Sequence, residues 1–223
     1  FFYSQALAVK EDGALWAWGY NRYGQVGDGT SLDRNRPVKI MENVAAASAG
    51  ADHSLAVKTD SSLWSWGLND SGEAGLGYSG CDVNGGEDGL IGLGKSCIWG
   101  PSHVGFGYSA ISAGLWQSYA LDDSGTLWGW GNNCNGELGD GTKVHRSAPV
   151  KILEDVEDIS SGGSHCLAAK SDGSLWTWGS NYFGELGDGA NMNRTVPNRI
   201  NFGLGTSISV TGIKLDKTAV TVP

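Results

Sequence analysis

Few residues in this chain combine the type and the spacing that chemistry requires. Gly89-Leu-Ile-Gly-Leu-Gly94-Lys95-Ser96 satisfies the phosphate-loop pattern. That loop works when a strand precedes it and a helix follows, so that backbone N–H groups and the helix terminus meet the phosphates. Here Cys97-Ile-Trp-Gly-Pro101 follows, which cannot start a useful helix, so the match reads as a glycine-rich loop. Asp82, Asn84, Glu87 and Asp88 invite a calcium reading, but their spacing lacks the terminal bidentate acid of an EF-hand loop, and solvated acids fit better. Four cysteines, Cys81, Cys97, Cys134 and Cys166, show no C-x-x-C spacing, so no metal centre is expected. His53 and His165 occupy one recurring position that Gln5 and Gln117 fill elsewhere. Interchange of His with Gln fits a hydrogen-bonding role better than proton transfer, and no Ser, Cys or Asp completes a triad. No cofactor is implied.

The elements that carry these residues recur. Leu-Trp-x-Trp-Gly appears at Leu15–Gly19, Leu63–Gly67, Leu127–Gly131 and Leu175–Gly179, with spacings of 48, 64 and 48 residues. Each copy runs into a glycine-spaced turn, such as Asn21-Arg-Tyr-Gly24-Gln-Val-Gly27-Asp-Gly29. One unit contains four β-like stretches. Val44–Ala49 is small and continuous, as an inner strand requires, and Ser54–Lys58 alternates. Leu63–Trp66 follows a hairpin turn, and Pro37–Ile40 (repeated at Pro149–Ile152 and Pro197–Ile200) opens on a proline suited to an edge strand. Four short strands per unit without a helical period describe an all-β propeller blade. Asp28, Asp140 and Asp188 read as turn residues.

Composition sets outer limits. Thirty-six glycines without a Gly-X-Y period exclude collagen, and ten tryptophans with 40% hydrophobic residues supply a core. A net charge of −9 argues against a nucleic-acid surface, and no apolar run is long enough for membrane insertion by a helix within this segment.

Leu-Trp-x-Trp-Gly, Asn-x-x-Gly-[Glu/Gln]-Leu-Gly-x-Gly and Ser-x-Gly-x-x-His-Ser-Leu-Ala resemble the regulator of chromosome condensation repeat family over residues 1–202. The resemblance implies a β-propeller of that type. The family's rings have seven blades, of which about four units are present here, and the chain enters one unit midway, as part of a longer protein does. Residues 203–209 read as a linker, and 210–223 resemble the opening strands of a bacterial Ig-like domain of cell-surface proteins. In that exported context Cys81 and Cys97, which bracket the extra residues of the 64-residue spacing, form a disulfide candidate worth about 3 kcal/mol; free thiols in a cytosolic protein are the alternative.

The expected function is that of a non-enzymatic extracellular or bacterial cell-surface module recognising a protein or glycan through its face loops. The alternative is guanine-nucleotide exchange on a small GTPase, as the family's eukaryotic namesake performs. Light sensing in the family resembles a Gly-Trp-Arg-His-Thr motif; Gly50-Ala-Asp-His-Ser54, Gly114-Leu-Trp-Gln-Ser118 and Gly162-Gly-Ser-His-Cys166 lack it. Binding candidates are sought where the copies disagree. Trp116 replaces Asp52 and Ser164, and Trp99, Tyr23, Tyr182 and Phe183 are further aromatic candidates.

Overall fold

The computed structural model describes residues 4–79 and 97–201. These form fifteen strands in four antiparallel sheets, each a simple meander. Blade 1 holds β1 (Gln5–Val9), β2 (Leu15–Gly19) and β3 (Arg34–Met41); blade 2 holds β4 (Val44–Ala49), β5 (His53–Lys58), β6 (Ser62–Leu68) and β7 (Cys97–Phe106). Blade 3 holds β8 (Tyr108–Ala113), β9 (Gln117–Asp122), β10 (Leu127–Gly131) and β11 (Arg146–Leu153). Blade 4 holds β12 (Val156–Ser161), β13 (His165–Lys170), β14 (Leu175–Gly179) and β15 (Arg194–Arg199). The segments 80–96, 203–209 and 210–223, which carry the phosphate-loop match, the acidic loop, Cys81 and the Ig-like resemblance, lie outside the described residues.

The small inner strands pack as their composition requires: β4 lies against β1 and β8, and β8 against β12. Outer strands carry Pro37, Pro101, Pro149 and Pro197, and each pairs with its neighbour through register shifts. Prolines and bulges blunt an exposed sheet edge.

The core lies between blades. Leu-Trp-x-Trp puts both indoles on one face, yet in blades 2, 3 and 4 the second alone becomes fully buried: Trp66, Trp130 and Trp178 are each 0% exposed, while Trp18 of blade 1 is half-buried. Trp66 packs with Leu7, Leu15, Ala17 and Val26 of blade 1, and Trp130 with Leu55, Val57 and Leu63 of blade 2. Trp178 packs with Tyr119, Leu121 and Leu127 of blade 3. Each such indole removes roughly 200 Å² from water, an upper bound of about 5 kcal/mol.

Candidate binding surface

Two kinds of segment share one end of the molecule, here the turn end. One is the set of loops leaving the inner strands, and the other is the set of glycine-spaced turns. The turns are built around a buried asparagine. Asn21 Nδ2 donates to Asp28 Oδ1 (3.1 Å) and to the carbonyls of Thr30 (2.9 Å) and Leu32 (3.0 Å), while its Oδ1 accepts from Val26 N (2.9 Å). Asn133 and Asn181 repeat the arrangement. Asp28 pairs with Arg34, Asp140 with Arg146 and Asp188 with Arg194. Burial alone pushes Asp28 and Asp140 up, but hydrogen bonds from Thr30 and Arg34, and from Thr142 and Arg146, hold both below the ordinary carboxylate range. These aspartates are turn residues with an ion-pair partner. Blade 2 has Leu76 at that position, but Asn69 keeps the bond to the carbonyl nine residues on, that of Tyr78 at 3.1 Å.

The His/Gln position joins one blade to the next. Gln5 Nε2 donates to the His53 carbonyl (2.9 Å), His53 Nε2 meets Ser118 Oγ (2.9 Å), and Gln117 Nε2 donates to the Gly163 carbonyl (2.9 Å). Inner-strand serines add a second tie: Ser48 Oγ accepts from Ala113 N (3.0 Å) and Ser112 Oγ from Ser161 N (2.9 Å). The indoles add a third, Trp66 Nε1 donating to the Gln25 carbonyl (2.9 Å) and Trp130 Nε1 to the Glu73 carbonyl (2.8 Å). All three recur at repeat positions, so His53 is scaffold.

The aromatic candidates are scattered over this frame. Trp116 is 39% exposed. Its loop is tied to both neighbouring blades, because the Leu115 carbonyl accepts from Ala51 N (3.2 Å) and Leu115 N donates to the Gly163 carbonyl (3.1 Å). Tyr23 and Trp99 are half-buried and both border Gly24, where a Cβ would stand 3.0 Å from the Trp99 ring. Trp99 is therefore part of the seam between blades 1 and 2, and Tyr23 makes an edge contact with Tyr20 at 6.2 Å. Tyr182 (61% exposed) and Phe183 (91%) stand on the turn of blade 4, with Tyr182 Oη donating to Asn135 Oδ1 at 3.2 Å. The structure thus brings Tyr23 and Trp99 to either side of Gly24, whereas Trp116 stands on an inner-strand loop of blade 3 and the Tyr182–Phe183 pair on the turn of blade 4. Cys97 opens β7, and Cys134 Sγ lies 3.7 Å from His145 Nε2. Among the described residues no group of three His, Cys, Asp or Glu side chains is placed to hold a metal.

One aromatic group escaped the sequence reading. His103 and Phe106 of β7 pack at a tilt with centroids 4.5 Å apart, and Phe106 is 70% exposed. The signal was present, since His103 and Phe106 stand where blades 1 and 3 carry Lys39 with Glu42 and Lys151 with Glu154.

The Ultraviolet-B receptor UVR8 of Arabidopsis thaliana is 32% identical over 169 residues, covering 72% of this chain and 36% of the receptor. The E3 ubiquitin-protein ligase HERC2 of Homo sapiens is 32% identical over 172 residues, covering 73% of this chain and 3% of the ligase. The chain thus spans about a third or less of either relative. Among solved structures, human WBSCR16 superposes with a TM-score of 0.73 at 24% identity, over 89% of this chain and 51% of that one. Yeast RCC1 (Prp20), solved with Kap60 bound, superposes with a TM-score of 0.72 at 22% identity, over 89% and 47%. These two establish the fold. The family model described as "Regulator of chromosome condensation (RCC1) repeat" matches residues 12–57, 124–169 and 172–214, and a second model of the same description matches 44–73, 108–137 and 156–185. With its blades, its turns and its interlocking tryptophans accounted for by that repeat, the chain belongs to the RCC1 repeat family.

Proposed function

We propose that this propeller segment is a non-enzymatic module that holds a protein partner against its turn end, with Trp116 as the anchor. One observation carries the reading: a tryptophan stands 39% exposed on a loop tied to both neighbouring blades, where those blades have Asp52 and Ser164. A rigid, partly exposed aromatic is the side chain that most often dominates a protein interface. The yeast neighbour, solved with Kap60 bound, supports the idea that this fold can hold another protein. The non-enzymatic part rests on where the perturbed groups lie. His53, Glu73 and Tyr119, whose protonation burial shifts strongly, are sealed in blade junctions (0%, 1% and 0% exposed) rather than open to a cleft. An extracellular or bacterial cell-surface setting is part of the proposal, on the strength of the resemblance of residues 210–223 to a bacterial Ig-like domain.

The test is a photo-crosslinking amino acid placed at position 116 and, as a control, at Thr59 on the opposite end. Extracts and culture medium of the source organism supply the partners. A protein captured from position 116 alone, and lost from a Trp116→Ser variant in a reconstituted binding assay, is the expected result. Equal capture from both positions, or capture of a glycan, overturns the reading. If the captured protein is a small GTPase whose GDP release the chain accelerates, nucleotide exchange replaces it.

A further inference from the structure

Blade 2 departs from its sisters at the outer corner of the hairpin end, the end remote from Trp116. In blades 1 and 3 the residue opposite the first tryptophan is a lysine: Lys39 faces Trp16 and Lys151 faces Trp128 in register. Each lysine pairs with a glutamate three residues on, Lys39 with Glu42 at 2.6 Å and Lys151 with Glu154. In blade 2 the residue facing Trp64 is His103, and Phe106 follows at the glutamate position. The ion pair has been exchanged for a run of rings. Trp64 meets His103 edge-on at 5.4 Å, His103 lies against Phe106 at 4.5 Å, and Lys58 Nζ stands 5.4 Å from the Trp64 ring. The exchange extends along the strand: β7 has no Lys or Arg, whereas β3 carries Arg34, Arg36 and Lys39, β11 carries Arg146 and Lys151, and β15 carries Arg194 and Arg199.

Acids frame these rings. Gly107 N and Tyr108 N both donate to the Ser61 carbonyl (3.0 and 3.1 Å), and Asp123 N donates to the Gly107 carbonyl (3.1 Å). The turns bearing Asp60 and Asp122–Asp123 therefore border the backbone next to Phe106, and Asp60 and Asp123 are exposed. Lys58 is engaged over Trp64.

We infer that this corner is a docking surface for a basic protein segment in which Arg or Lys flank an apolar side chain. Phe106 supplies the apolar anchor, the ring faces attract cations, and the surrounding aspartates complement them. Exchange of Lys and Glu for aromatic residues is the compositional change that separates interface cores from ordinary surface. The net charge of −9 steers a basic partner toward the molecule. Strand addition is not the mode, because β7 keeps Pro101 and the register shifts of the other outer strands. The surface is independent of the turn end and of the function proposed for it.

The experiment uses the full chain and two labelled synthetic peptides, one alternating Arg with Leu and one alternating Glu with Leu, read by fluorescence anisotropy. The informative variant is His103→Lys/Phe106→Glu, which restores the ion pair of the sister blades. It leaves the net charge unchanged, and blades 1 and 3 show that the fold accepts it. The native chain is expected to bind the arginine peptide, the variant at least about tenfold more weakly, and Trp116→Ser as tightly as native. Phe106→Ser, at an exposed site, should weaken binding in the same direction. Equal affinity of the native chain and the double variant for the arginine peptide overturns the inference, as does equal or tighter binding of the glutamate peptide by the native chain.

Discussion

The Ser118 hydroxyl donates to the Glu73 carbonyl at 2.9 Å and lies 2.9 Å from His53 Nε2. With its proton directed to that carbonyl, Ser118 accepts from the imidazole, so neutral His53 carries its hydrogen on Nε2. Nδ1 is buried with no partner among the described residues, and burial pushes His53 down to about 4 from 6.5. On the same junction, burial pushes Glu73 up to about 7 from 4.5, with the backbone N–H groups of Glu73 and Ser71 only partly offsetting it. The two act on stability in opposite senses. The His53 contribution is present above pH 6.5 and is lost as pH falls through 4, while that of Glu73 is present below pH 4.5 and is lost as pH rises through 7. Each shift corresponds to about 3 kcal/mol, so the native profile is flattened where they overlap. The sister blades supply the test, since Gln5 and Gln117 stand for His53, and Gln25 for Glu73. In urea unfolding across pH, His53→Gln should become more stable on acidification from pH 7 to 4.5, and Glu73→Gln less stable from pH 6.5 to 4. Parallel profiles for the two variants would contradict this assignment. At this scale the sequence was legible where copies could be compared: His/Gln exchange revealed a hydrogen-bonding position, but nothing in it showed that Ser118 completes the link.

Elements interlock through their glycines as much as through their tryptophans. Gly27 sits at φ +86°, and a Cβ there would lie 2.6 Å from Trp66 Nε1. Gly187 holds the same place in blade 4 at φ +66°, with nothing within 4 Å of its Cβ position. Alanine at either position incurs about 1 kcal/mol of left-handed backbone strain, and at Gly27 a further 1–3 kcal/mol, roughly, of overpacking. Gly27→Ala should therefore lower unfolding free energy by about 2–4 kcal/mol and Gly187→Ala by about 1 kcal/mol. Similar losses in the two variants would show that packing against Trp66 is not what requires glycine. Strand positions were readable from Leu-Trp-x-Trp-Gly and its hairpins, because a period of two marks a strand without knowledge of its neighbours. Which indole would be sealed was not, because both share a face and only the preceding blade distinguishes them. The outer strand of blade 2 went unread for a different reason: the extra residues before it put Pro101, His103 and Phe106 out of phase with Pro37, Pro149 and Pro197.

Across the molecule, one set of contacts recurs from blade to blade: an indole N–H to a turn carbonyl, a His or Gln side chain, and a serine at the inner strand. A repeat whose core lies between units is stabilised mainly by its nearest-neighbour interfaces. The repeat fold was therefore plain from the sequence, while the surfaces that differ between blades emerged only after the strands were superposed. The third junction provides an exception that tests the scheme. Tyr119, at the position of Leu55 and Leu167, donates its hydroxyl to the Glu137 carbonyl, and Trp178, edge-on to Tyr119 at 6.3 Å, is left without a carbonyl partner for Nε1 among the described residues. The decisive measurement is the equilibrium unfolding free energy of Trp66→Phe, Trp130→Phe and Trp178→Phe, three identical changes at sites that are each 0% exposed. If indole-to-carbonyl bonds lock the blades together, Trp66→Phe and Trp130→Phe will each cost about 1 kcal/mol more than Trp178→Phe. Equal losses at all three sites, or the largest loss at Trp178, would contradict the account.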